Sequence, residues 1–148
     1  MPPQTARARR LQIRDLIRPL CIAGILTIGW AAAAIELLDE QTEQLLVEAV
    51  EAAYELDLYN NRCRGDRSGR RLENLNKELV SRFRMTALDV QDDLFPERYY
   101  RDAQGRMERD FLERLRAMGG CAGAKEKRLR DELRERYESA MAEIAELP

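Results

Sequence analysis

The chain has 148 residues, of which 25 are Lys or Arg and 27 are Asp or Glu, giving a net charge of −2, and it contains no histidine. Without imidazole, Ser-His-Asp and Cys-His nucleophile systems and the commonest metal ligand are excluded. The acidic balance also argues against general nucleic-acid binding, which depends on neutralising phosphates.

Residues 1–34 differ from everything after them. Arg7, Arg9, Arg10, Arg14 and Arg18 stand against the single acid Asp15, the apolar run PLCIAGILTIGW follows, and the alanines Ala31–Ala34 come next. A positive segment, a short apolar segment and an A-x-A site in that order form the pattern of a secretory signal peptide, with cleavage expected after Ala34. The alternative is an uncleaved signal anchor, because the uncharged stretch Pro19–Ile35 reaches the lower limit for crossing a bilayer. Five of the basic residues and one acid lie in 1–34, so residues 35–148 carry 20 and 26, a net charge of −6. That remainder is the size of one domain.

The first predicted helix runs from Ile35 to Asn61, a stretch free of Pro and Gly. Leu38, Thr42, Leu45, Ala49, Ala52, Leu56 and Tyr59 recur at steps of four and three along one face. Leu46, Val50 and Ala53 widen that face toward a second neighbour. YNNRCRGDRSG should stop it, placing Cys63 at a helix end. Ser68 is the expected N-cap of a second helix with Leu72, Leu75, Leu79 and Phe83 on its face. Thr86-Ala-Leu-Asp89 has the form of a capping box opening a short helix through Leu94.

Pro96 suits the first turn of the next helix, whose face is Tyr100, Ala103, Met107, Phe111, Leu115 and Met118; Gly105 is expected to weaken, kink or split it. Gly119 and Gly120 close that helix, and AGAKEK opens the last one, striped by Leu129, Leu133, Tyr137, Ala140, Ile144 and Leu147. No alternating strand pattern occurs. The expected fold is an all-α, four-helix up-down bundle with a short extra helix after the signal peptide.

Cys21 falls in the leader, leaving Cys63 and Cys121. In an exported chain such a pair reads first as a disulfide. Closing a loop of about 59 residues would restrict the unfolded state by roughly 4 kcal/mol. The reactive or metal-binding alternative lacks C-x-x-C spacing and any histidine. Up-down order would bring the end of the first helix beside the junction of the last two, where these cysteines lie.

No segment carries a complete catalytic or cofactor motif. In MGGCAGAKEK, Ala124 separates Gly123 from Lys125, Glu126 occupies the place of a hydroxyl, and a helix precedes, so a phosphate loop of the Walker type is excluded. Asp89, Asp92, Asp93 and Glu97 lack the glycine and ligand alternation of a calcium loop and read as a solvated acidic helix. Of Tyr99 and Tyr100, one is expected in the core and one exposed. Arg62, Arg64, Arg67, Arg70 and Arg71 place five cations in ten residues next to Cys63, which makes them the candidate partner surface. The size and helical patterning are similar to those of small exported proteins that bind unfolded chains, but MTALDVQDDLF lacks their repeated L-T-x-x-Q motif.

The expectation is therefore a non-catalytic, periplasmic or otherwise exported helical protein that binds another macromolecule, most simply a protein, in the cell envelope. It has no catalytic, metal or cofactor-binding residue and no nucleic-acid partner. The alternatives are a chaperone-like client binder and an inner-membrane-anchored structural component facing the periplasm.

Overall fold

The first helix begins where a carboxylate supplies acceptors. Asp39 takes the Thr42 amide at 2.8 Å on one oxygen and the Thr42 hydroxyl at 3.0 Å on the other, which caps two otherwise unpaired groups. A computed structural model describes residues 38–147; the leader and the cleavage position lie outside them, and the first helix begins at Glu40 and not at Ile35, since Leu38 and Asp39 are not helical. Among the described residues there are six helices and no strand: α1 Glu40–Arg64, α2 Arg70–Phe83, α3 Ala87–Asp93, α4 Tyr100–Ala117, α5 Gly120–Glu126 and α6 Leu129–Glu146. The fold of these residues is all-α. None of these helices is long and apolar enough to cross a membrane.

α1 organises the rest. Leu46, Ala49, Val50, Ala52, Ala53, Leu56 and Tyr59 are all buried, and at 100° per residue they cover about half of the helix circumference. So wide a face needs several neighbours. α1 packs most extensively against α6 and also against α2, α4 and α3. One core cluster joins Leu46, Val50 and Ala53 to Leu75, Leu79, Phe95, Met107 and Ile144. A second joins Leu56 and Tyr59 to Phe111, Leu115, Leu129 and Leu133, and Tyr137 packs on both.

The remaining face of α1 is acidic and is matched by arginines from its neighbours. Glu51 reaches Arg106 of α4 at 3.0 Å and Arg136 of α6 at 3.3 Å. Arg136 also pairs with Glu55 at 3.2 Å, and Arg106 with Glu97 at 2.5 Å. Burial pushes the Glu55 carboxyl above its usual range, and the charges of Arg136 and Arg114 only partly oppose it. For Glu97 burial acts in the same sense, but its own backbone amide and the Arg106 guanidinium overcome it, so its pKa is lowered.

Four local expectations are corrected. α2 is not capped by Ser68: its N-cap is Gly69, left-handed at φ 61°, and has no side chain to offer. Asp57 of α1 supplies the acceptors instead, taking the amides of Arg71 at 3.1 Å and Leu72 at 3.0 Å. A capping acceptor removed from a helix start costs about 1–2 kcal/mol. Asp57→Ala is therefore expected to lower the urea unfolding free energy by about that amount, and Asp57→Asn, which keeps one acceptor oxygen, by less.

Pro96 precedes α4 and does not lie in its first turn. The loop from Leu94 to Tyr99 turns inward to bury Phe95 completely, and Asp92 accepts from the Tyr100 amide at 2.6 Å. Gly105 does not split α4, which is continuous. Its neighbours Ala103 and Met107 are buried, and that packing outweighs the roughly 1 kcal/mol propensity cost of a glycine.

AGAKEK does not begin the last helix. It belongs to the separate α5, and Arg128, left-handed at φ 57°, breaks the chain before α6. Ala124 and Leu129 are both fully buried, yet on one continuous helix they would point about 140° apart; the break lets both face the second cluster. A Cβ on Gly123 would lie 1.8 Å from the Met118 carbonyl oxygen, whereas one on Gly105 would meet only the Arg109 guanidinium at 3.3 Å. Gly123→Ala should therefore destabilise by about 1–3 kcal/mol. Gly105→Ala should stabilise by about 0.5–1 kcal/mol. Thermal unfolding of the two variants beside the parent reads the opposite signs directly.

Candidate functional site

The end of α1 runs on through the arginine-rich segment. The helix continues to Arg64, and Gly65, left-handed at φ 71°, turns the chain out of it, a conformation that costs glycine nothing. Cys63 therefore lies in the last turn of α1 and Cys121 in the first turn of α5. The two are bonded, with Cα atoms 5.4 Å apart across a sequence separation of 58. The bridge fastens α1 to the connection between α4 and α6.

The five candidate arginines have different surroundings. Arg62 reaches Glu108 of α4 at 3.3 Å. Arg71 faces Asp57 at 3.7 Å and Asp66 at 3.4 Å, while its carbonyl accepts from the Tyr137 hydroxyl at 3.4 Å. Arg64, Arg67 and Arg70 are exposed, and among the described residues none has a carboxylate within 4.0 Å. The tripeptide Arg64-Gly65-Asp66 is a helix exit. The side-chain and backbone groups of Ser68 hold the Asp66 carboxyl below its usual pKa, with Arg71 adding to the effect.

Three cations outside that set join Arg64 at the bridge. A cavity of about 370 Å³ is lined by Tyr59, the disulfide, Arg64, Lys125, Arg128, Arg130 and Asp131. The signal for them was in the sequence: with Cys121 bonded to Cys63, Lys125 lies one helical turn beyond one cysteine and Arg64 directly follows the other. Asp131 pairs with Arg128 at 3.0 Å. Among the described residues, Arg64, Lys125 and Arg130 have no ion-pair partner, and the Arg130 Nε is buried without an acceptor.

The acidic segment has structural work. Thr86 and Asp89 form the predicted capping box, and the Thr86 backbone and side-chain hydrogen bonds lower the Asp89 pKa. Asp92 caps α4, Glu97 holds Arg106, and Asp93 is exposed. Among the described residues, no group of three or more His, Cys, Asp or Glu is placed to hold a metal ion. Tyr99 is exposed and Tyr100 half-buried, their rings edge to face with centroids 5.3 Å apart.

No known family model, curated protein or solved structure matches this chain.

Proposed function

We propose that the protein is exported to the cell envelope and acts there by binding an acidic partner protein through the arginine-rich end of its helical domain. The observation that carries this reading is the set of exposed cations Arg64, Arg67 and Arg70, which have no carboxylate partner among the described residues. A chain with more acids than bases has carboxylates available to neutralise them. Cations left open on one end favour an oppositely charged surface and speed encounter with it.

Export rests on the leader pattern of residues 1–34 and on the disulfide, which suits an oxidising compartment. The four longer helices alternate up and down in this reading, an order that accounts for the end of α1 meeting α5 at the bridge. Intact mass of the protein from an envelope fraction tests export: a chain beginning at Ile35 with two thiols only after reduction supports it. A full-length chain favours the membrane-anchored reading.

Partner capture from envelope extract, read by quantitative mass spectrometry, tests the surface. The Arg64→Glu/Arg67→Glu/Arg70→Glu variant should lose a salt-sensitive acidic protein that the parent retains in stoichiometric amount, at unchanged thermal stability. Equal capture by both would overturn the reading.

A further inference from the structure

We propose that the cavity beside the Cys63–Cys121 bridge is a binding site for a phosphate group, carried on a small molecule or on a lipid headgroup. It goes beyond the partner surface: it shares Arg64 with that surface and otherwise rests on Lys125, Arg128 and Arg130, which lie outside the original set.

Four cations from four parts of the chain converge on one cavity: Arg64 from the end of α1, Lys125 from α5, Arg128 from the connection and Arg130 from α6. Asp131 balances one of them, leaving an excess of three positive charges around about 370 Å³. Like charges held together repel, and an anion bound among them relieves that repulsion. Charge count selects the anion. A single carboxylate would leave most of that excess, whereas a phosphate monoester carries about −1.5 to −2 near neutral pH and offers three acceptor oxygens.

The donor set fits the same ligand. Guanidinium groups present planar forks that match phosphate oxygens, and Arg64, Arg128 and Arg130 each bring one to the lining of the cavity. The disulfide fixes the two walls relative to each other, since Arg64 follows Cys63 and Lys125 lies one turn after Cys121. Arg128 sits at a left-handed φ of 57°, so Arg128→Gly suits the backbone while removing the charge.

The test is amide chemical-shift titration of the oxidised, full-length protein with inorganic phosphate, then with glycerol phosphate, at fixed ionic strength against chloride. Co-sedimentation with phosphatidylglycerol and phosphatidylcholine vesicles forms the second arm. The expected result is saturable shifts centred on Arg64 and residues 125–130, with affinity reduced at least about tenfold in Arg128→Gly and in Arg130→Gln, as expected when bidentate donors are removed. Saturation by the soluble phosphates alone identifies a small-molecule ligand. Phosphatidylglycerol binding that inorganic phosphate competes away, with no binding to phosphatidylcholine, identifies a headgroup.

Arg67→Gln separates this site from the partner surface: it should leave phosphate affinity unchanged while weakening capture of the acidic protein. No saturable shift in either arm, or shifts spread evenly over all exposed arginines, overturns the proposal. If Arg130→Gln unfolds, Arg128→Gly alone decides, and an unchanged affinity in that variant overturns it equally.

Discussion

Phe95→Ala is expected to lose about 3–5 kcal/mol of unfolding free energy, the range for emptying a fully buried aromatic site. Phe95 is 0 % exposed, yet it sits in the connection between α3 and α4, where a side chain would ordinarily be dispensable. It enters the cluster that joins α1, α2, α3, α4 and α6, to which Val90, Ala103 and Met107 also belong. The Arg106 guanidinium lies 5.8 Å from its ring centroid. Against a total of about 5–15 kcal/mol for a domain of this kind, the loss is a large share of the stability. Urea denaturation followed by circular dichroism measures it. Phe95→Leu, which keeps most of the volume, should lose less than about 1.5 kcal/mol. Equal behaviour of the two variants would show that the loop relaxes to close the space.

Removing the bridge comes second. The Cys63→Ser/Cys121→Ser variant should lose roughly 4 kcal/mol, since the unfolded chain regains the freedom of a loop of about 59 residues. The loss should appear as a lower urea midpoint and should be matched by reduction of the parent. A loss below about 1 kcal/mol would mean that the reduced unfolded chain retains structure that already restricts it. The same variant reports on the cavity, because Arg64 and Lys125 stand on opposite sides of the bond.

Much of this architecture was legible as periodicity. The stripes of α1, α4 and α6 bury nearly as the spacing predicts, because a long helix repeats its pattern often enough to fix its phase. The capping box at Thr86 was legible because both of its members lie within four residues. The cap of α2 was not: Asp57 is fourteen residues upstream of Arg71 and on another helix, and nothing local announces it. Phe95 was hidden for the same reason: the pair Leu94-Phe95 lies in a turn, with no repeat to mark which of the two is core.

The break at Arg128 was obscured by composition. KEKRLRDELRER is strongly helical in propensity, and only the joint burial of Ala124 and Leu129 explains why the chain stops and restarts there. Buried polar groups were equally invisible. Asn60 is 1 % exposed, with neither side-chain atom hydrogen-bonded, and lies on the core face of α1 where the pattern suggests only a helix end.

The pairing of α1 with α6 bears on how the chain is made. These helices stand at opposite ends of the described residues, and each is the other's most extensive neighbour. A ribosome delivers α1 first and α6 last, so Leu46, Ala49 and Val50 stay uncovered on one side until residues 129–146 have emerged. Contacts between distant segments form late and slowly, and both core clusters need residues of α1 and of α6 to close. Folding of residues 38–147 is therefore expected to follow the delivery of α6 and not to proceed helix by helix.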